Sequence, residues 1–403
     1  MRIAKIQKSN ISGTVQVPPS KSAAHRALIC SFLAGGGNVV SPLIDSMDMQ
    51  ATLGVISALK DDKPVADCIE SGSTLRFMIP VAAALGKTVK FVGRGKLPER
   101  PIGDYLRLLP EHGVKCDYTG TLPLTVSGKL TPGRFEIAGN VSSQYITGLL
   151  LALPILDGDS EIVLTTELQS KPYVDMTVKV MADFGVKVKE RENSYFIPGN
   201  QVYQKRDYTV EADWSQAAFF MVAGALFGDV TLTGLDVNST QGDKKIADIL
   251  KKFGADVTVN NDRVVVKKSQ LHGIEINATD IPDMVPSLAV AGIYASGKTV
   301  ITGAQRLRYK ESDRIESIVY NLKKLGAYVE ETADGMEILG STLHAANMKG
   351  FNDHRIVMAM TVAATGVDGV STIDDAQSIN KSYPDFFNDF NSIGGNANVF
   401  IDR

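Results

Sequence analysis

The sequence predicts an α/β protein, mixed α+β in detail, made of six βαβαββ units arranged as two lobes of three. Three observations lead there. The chain has 403 residues, 44% hydrophobic and 22% charged, enough to bury more than one core without disulfides or metals. One plan recurs along it: a β-branched strand, a polar loop, an Ala/Leu/Met-rich helix ending near Gly, a second strand, a second polar loop, an amphipathic helix and strand pairs. Six such units exceed one compact core and no low-complexity linker separates them, so three plus three, with a ligand cleft between, is the expected arrangement; one large α/β sheet is the alternative.

In chain order, Thr14–Val17 reads as a strand, Ser22–Ala34 as a helix, Asn38–Pro42 as a strand and Met49–Lys60 as a helix. The first helices of the next two units begin near Ser73 and Ser143. Tyr208–Glu211 reads as the strand opening the fourth unit. Ser215–Phe227 (helix), Asp229–Thr233 (strand) and Lys244–Phe253 (helix) follow, then a strand pair, Asp256–Val259 and Arg263–Lys267, around Asn260-Asn261-Asp262. The last two units place their first helices near Met284 and His354, so from Ser73 onward these starts recur about every 70 residues. Gly254 and Gly326 stand at equivalent helix ends, where a left-handed residue is wanted. Pro18-Pro19 marks a crossing, and the strand before it is assigned to the second half. The expected lobes are residues 20–211 and residues 1–19 with 212–403.

Composition excludes several functions. Lys plus Arg total 42 against 45 Asp plus Glu, a net charge of −3, which argues against a general nucleic-acid binder. No apolar run approaches the roughly 18 residues of a membrane span. The polar, basic start lacks the apolar stretch of a signal peptide. Cys30, Cys68 and Cys116 are odd in number and widely spaced, as buried thiols in a reducing cytosol are. His25, His112, His272, His344 and His354 show no metal-ligand spacing. The expectation is a metal-free cytoplasmic protein acting on a small molecule, with no nucleic-acid or membrane partner.

Helix N-termini favour anions, and polar residues recur at each of these starts. They are Ser20-Lys21-Ser22 with His25-Arg26, Ser71-Gly72-Ser73-Thr74 with Arg76, Ser142-Ser143-Gln144, Glu211-Ala212-Asp213, Ile281-Pro282-Asp283 and Asn352-Asp353-His354-Arg355. Singly, each is as readily a helix cap as a ligand; recurrence at matched places favours function. The second loops add Glu99-Arg100-Pro101, Ser170-Lys171-Pro172-Tyr173, Tyr309-Lys310-Glu311-Ser312-Asp313-Arg314 and Lys381-Ser382-Tyr383. Lys21, Arg26, Arg100, Lys171, Lys310, Arg314, Arg355 and Lys381 form a cationic set suited to two phosphorylated substrates. Asp283 and Glu311 are the proton-transfer candidates among them. The segment Gly292–Thr299 matches the nucleotide-binding pattern GxxxxGK[ST], which needs a strand before it and a helix after it. Here the order is inverted, helix then strand, so nucleotide binding is declined.

The motifs PPSKSAAHRAL, LPERPIGD, SSQYITGLLLALP, SKPYVDMT, YKESDRI, FNDHRIVMA and KSYPDFF, in that order across nearly the whole chain, resemble the 5-enolpyruvylshikimate-3-phosphate synthase family. The resemblance implies a two-lobed inverse α/β barrel and the transfer of the enolpyruvyl group of phosphoenolpyruvate to the 5-hydroxyl of shikimate 3-phosphate. That reaction runs through a tetrahedral intermediate without metal or cofactor. The resemblance also implies that Lys21, Arg100 and Lys381 hold the phosphoenolpyruvate phosphate, while Arg314 and Arg355 clamp its carboxylate. Ser22, Arg26, Ser142, Ser143, Ser170, Tyr173 and Lys310 would bind shikimate 3-phosphate, with Gln144 between the substrates. Asp283 would take the hydroxyl proton and Glu311 exchange one with the methylene carbon. Gly72 is the position where family members leave room for the inhibitor glyphosate. Glu70, Phe77, Arg306 and His25 depart from common family residues. The rival family acting on UDP-N-acetylglucosamine carries a mobile loop, usually with a Cys, where Val92–Glu99 is short and has none. A non-catalytic anion-binding protein of the same fold is the other alternative.

Overall fold

The computed structural model describes residues 2–401 and divides into two compact bodies, Pro19–Val210 and a second made of the chain up to Pro18 together with Glu211 onward. The chain starts with β1 (Arg2–Gln7) and β2 (Ile11–Gln16), both in the second body. The first body then runs α1 (Lys21–Leu33), β3 (Val40–Ser41), α2 (Met47–Lys60), β4 (Val65–Asp67), α3 (Gly72–Ala84), β5 (Val89–Val92) and α4 (Gly103–Glu111). It continues through β6 (Val114–Tyr118), β7 (Leu124–Gly128), β8 (Arg134–Ile137), α5 (Ser143–Ala152), β9 (Ser160–Leu164), α6 (Lys171–Asp183), β10 (Lys189–Arg191), β11 (Ser194–Ile197) and β12 (Tyr208–Thr209). The second body resumes with α7 (Trp214–Phe227), β13 (Gly228–Thr233), α8 (Ile246–Lys252), β14 (Asp256–Val259), β15 (Arg263–Lys267), β16 (Glu275–Asn277), α9 (Val285–Tyr294) and β17 (Lys298–Thr302). It ends with α10 (Arg314–Lys324), β18 (Tyr328–Glu331), β19 (Met336–Leu339), β20 (Asn347–Met348), α11 (His354–Ala364), β21 (Val370–Ile373), α12 (Phe386–Ser392) and β22 (Ala397–Ile401).

Among the described residues, five four-stranded sheets carry the repeat. In each complete unit two parallel strands flank a helix, and an antiparallel partner pairs with the second, as in the order β4-β5-β7-β6. Each parallel pair needs a crossover; a single helix supplies it for β4 and β5, β8 and β9, β16 and β17, and β20 and β21, whereas most of the first body intervenes between β2 and β13 and between β3 and β12. Two sheets borrow from the N-terminus. β2 pairs in parallel with β13 along six residues, and β1 lies between β21 and β22.

This borrowing corrects two expectations. Tyr208–Glu211 does not open the fourth unit; β2 does, because its alternation buries Ile11 and Val15 against the full length of β13. The chain at 208 instead yields two residues, Tyr208 and Thr209, which pair in parallel with Val40 and Ser41 of the first body. The first unit is therefore reduced to two short strands without a closing hairpin, and Asn38–Pro42 shrinks to β3.

The first helices of the units form the cores. All fourteen residues of α7 are buried, and every residue of α3 except Ser73. A helix apolar all round has no solvent stripe and belongs at the centre of a lobe. The second helices are amphipathic: α10 buries Ile315, Ile318, Val319 and Leu322 and exposes Lys323 and Lys324. Central placement means that the buried N-termini must be satisfied by side chains. Ser20, Ser71, Ser142, Asp213 and Asp353 cap α1, α3, α5, α7 and α11. α9 is preceded instead by a 3-10 turn, Pro282–Met284, that carries Asp283. The Gly292–Thr299 segment joins the end of α9 to β17, the helix-to-strand order in which no phosphate cradle forms.

Candidate active site

In the first body the polar residues gather around the starts of α1, α3, α5 and α6. Lys21 Nζ meets Asp48 Oδ2 at 2.6 Å. Arg26 is buried, and neutral oxygens take most of its donors: Nε–H goes to Thr177 Oγ1 (2.7 Å), Nη1 to the Ser22 carbonyl (2.7 Å), and Nη2 to the Tyr173 carbonyl (3.0 Å) and Thr147 Oγ1 (3.4 Å). Burial lowers its pKa to about 10, still leaving it a cation at neutral pH. Arg76 donates to the Pro101 carbonyl at 2.7 Å and to Gln144 Oε1 at 2.6 Å, and Gln144 Nε2 donates to Ser73 Oγ at 2.9 Å. The Gln144 amide is thus fixed with its oxygen toward the cation. Arg100 is buried against the start of α3, where a Cβ on Gly72 would come within 2.5 Å of its Cζ. Only a glycine lets that guanidinium lie there. Ser170 is buried in a left-handed conformation (φ 55°) just before α6, and Ser143 is buried in the first turn of α5. Lys171 differs from the rest: it is 43% exposed and paired with Asp175 (2.6 Å) and Glu190 (3.0 Å), a surface network rather than part of this cluster.

In the second body the cations meet carboxylates. Arg314, 1% exposed, donates Nε to Asp353 Oδ2 (2.8 Å), Nη2 to Asp353 Oδ1 (3.2 Å) and Glu311 Oε2 (2.8 Å), and Nη1 to Asp283 Oδ1 (3.0 Å). Arg355 lies 3.3 Å from Asp283 Oδ2 and donates to Ser215 Oγ (2.8 Å), whose own proton goes to Asp213 Oδ1 (2.6 Å). Lys310 stands 3.4 Å from Asp283 Oδ1. Lys381, 4% exposed, donates to the Asn352 carbonyl at 2.6 Å. For Asp283, burial pushes the pKa up, but Arg355, Lys310 and Arg314 outweigh it and hold the carboxyl well below the usual range. Burial lowers the Arg314 pKa, while Asp353, Glu311 and Asp283 together raise it above its ordinary value.

Apart from Lys171, the predicted residues thus fall into two clusters, one in each body. Four partners had no site role read from the sequence: Arg76 and Asp353, which were noted at helix starts, and Asp48 and Ser215. Arg76 lies one helical turn after Gly72 and Asp353 immediately before His354, so each had a positional signal. Asp48 and Ser215 had none that distinguished them from ordinary helix-start residues.

Residues 6–390 match the EPSP synthase (3-phosphoshikimate 1-carboxyvinyltransferase) family. The chain belongs to that family. The 3-phosphoshikimate 1-carboxyvinyltransferase of Clostridium novyi is 43% identical across 98% of both chains, and that of Clostridioides difficile is 40% identical across 97% of both. Among solved structures, EPSP synthase of Acinetobacter baumannii superposes with a TM-score of 0.83 at 26% identity, covering both chains fully. The enolpyruvyl transferase NikO of Streptomyces tendae shares the fold, with a TM-score of 0.80 at 18% identity, covering 100% of this chain and 99% of its own. The EPSP synthase family catalyses enolpyruvyl transfer from phosphoenolpyruvate to shikimate 3-phosphate in the shikimate pathway. Its two-lobed α/β fold agrees with the small four-stranded sheets described above. Among the described residues no helix is long and apolar enough to cross a membrane.

Proposed function

We propose that this chain performs the family reaction with residues drawn from both clusters. The supporting observation is the placement of two carboxylates, Asp283 and Glu311, on a single buried guanidinium, that of Arg314. Lys21, Arg100 and Lys381 hold the phosphate of phosphoenolpyruvate, and Arg314 and Arg355 its carboxylate. Ser22, Arg26, Ser142, Ser143, Ser170, Tyr173 and Lys310 bind shikimate 3-phosphate, with Gln144 between the two. Fixed cations place both anions for reaction.

The electrostatics give the proton chemistry a sequence. Without substrate, Asp283 is ionised and a poor base, because three cations stabilise its charge. An incoming carboxylate that engages Arg314 and Arg355 neutralises part of that field and raises the basicity of Asp283. Asp283 then takes the 5-hydroxyl proton as the oxygen attacks C2 of phosphoenolpyruvate, and Glu311, entering the step as the protonated acid, gives its proton to the methylene carbon. From the tetrahedral adduct, phosphate leaves with the proton held on Asp283, and Glu311, now a carboxylate, takes a proton from the new methyl group, forming the enol ether. No redox step is involved. We further propose a monomeric cytoplasmic enzyme that is sensitive to glyphosate, on the strength of Gly72.

Phosphate release from phosphoenolpyruvate tests the reading. Stoichiometric release that depends on shikimate 3-phosphate is expected. Release dependent on UDP-N-acetylglucosamine, or binding without release, would replace it with one of the two alternatives.

A further inference from the structure

His25 lies outside the roles above, yet its surroundings are unusually well defined. It is 1% exposed, and its Nδ1 is 2.7 Å from Thr52 Oγ1. Thr52 Oγ1 is 2.7 Å from Thr74 Oγ1, and Thr74 donates its hydroxyl proton to Ser71 Oγ at 2.8 Å. Ser71 caps α3, accepting also from the Thr74 amide at 3.2 Å. The proton count fixes the direction of every bond. Thr74 spends its only hydroxyl proton on Ser71, so it accepts from Thr52. Thr52 has then spent its own, so it accepts from His25, and the imidazole must carry its proton on Nδ1. Nε2 is buried without a partner among the described residues. A bare lone pair costs less there than an orphaned N–H, which favours the same tautomer. Burial, then the charges of Lys21 and Arg26, keep the ring neutral. A second tie runs parallel to the chain: the His25 ring meets Phe77 of α3 edge-on, with centroids 6.2 Å apart.

We propose that His25 is a positioning residue: as the Nδ1–H tautomer it heads a one-way hydrogen-bond chain through Thr52 and Thr74 to Ser71. The chain fixes the start of α1, which carries Lys21, relative to the start of α3, which carries Gly72. Its role is to hold these groups for phosphoenolpyruvate, and that part rests on the function proposed above. His25 itself touches neither substrate.

The test uses Thr52→Val, which keeps shape but cuts the chain at its middle, and Thr52→Ser, which restores it. Thr52→Val is expected to raise KM for phosphoenolpyruvate about tenfold with kcat changed less than about threefold, and Thr52→Ser to stay near wild type. Long-range nitrogen NMR of the wild-type protein at neutral pH is expected to show His25 protonated on Nδ1 and bare on Nε2. An Nε2–H tautomer overturns the chain. An unchanged KM in Thr52→Val, with only a lower melting temperature, overturns the positioning role. A wild-type protein inactive with both substrates overturns the substrate reading and the KM effect, while the tautomer result stands apart from that outcome.

Discussion

In the body Pro19–Val210 the buried guanidiniums of Arg26 and Arg76 are met by hydroxyls, carbonyls and an amide, whereas in the other body Arg314 is met by three carboxylates. The difference separates two tasks. A cation held by neutral oxygens keeps most of its field for a ligand and serves to bind and orient. A cation held by carboxylates shares its field with groups that exchange protons, so substrate charge can change their basicity. On the proposed reading, the first cluster serves placement, while the second combines substrate binding with proton transfer.

The most direct way to break this division is Asp283→Asn. The amide still accepts from Arg314 but cannot take a proton. Turnover is expected to fall about a thousandfold, within the range for loss of a general base, with shikimate 3-phosphate binding retained. Phosphate release and a binding titration measure the two quantities. Near-normal turnover would make the carboxylates of the second body structural only.

Asp353→Asn probes the same body through stability. Asp353 is fully buried, takes two bonds from Arg314 and one from Ser312, and caps α11 through the Arg355 amide. Removing its charge leaves Arg314 under-compensated, and a loss of roughly 3 kcal/mol in denaturant unfolding is expected. A loss below about 1 kcal/mol would show that Glu311 and Asp283 alone balance that guanidinium.

In the first body, Gly72→Ala is expected to raise KM for phosphoenolpyruvate about tenfold. The backbone there is ordinary helix, so alanine is tolerated by the fold and gains helix propensity of up to about 1 kcal/mol. What it displaces is the Arg100 guanidinium. Steady-state kinetics beside a melting curve would show weaker binding without destabilisation; a parallel loss of both would place Gly72 in the core instead.

These residues also show how far the sequence could be read. Periodicity revealed the repeat, because buried central helices and amphipathic outer ones alternate about every 70 residues from Ser73. The polar helix starts were legible because a buried N-terminus demands a capping side chain. Strand exchange was not legible: β2 and Tyr208–Thr209 are both short β-branched or aromatic stretches, and which sheet each joins depends on connectivity rather than composition. Nor was the partner of each cation. Asp353 looked like a cap and is a cap, but only packing shows that both its oxygens also meet Arg314.

The smallest effect expected is a pH dependence that isolates the first body. The folded chain holds His25 neutral, with its pKa well below the ordinary value, through burial first and then Lys21 and Arg26. Its stabilising contribution is complete above the unfolded value near 6.5 and is lost as pH falls from there toward the folded value, because the unfolded chain takes up a proton that the folded chain refuses. The loss amounts to at most about 1.4 kcal/mol per pH unit within that window. Asp283 has the same sign but another window, since a depressed carboxylate loses its contribution only below the ordinary carboxylate range near pH 4. Between pH 6.5 and 5, then, the unfolded chain protonates its His25 imidazole while the folded chain does not, and the Asp283 window is not yet reached. His25→Asn keeps a donor for Thr52 and removes the titration, so its unfolding free energy should fall less than that of the wild type over this interval. Parallel curves for the two proteins would mean that the folded chain protonates His25 as readily as the unfolded one, and the neutral, oriented imidazole would have to be given up.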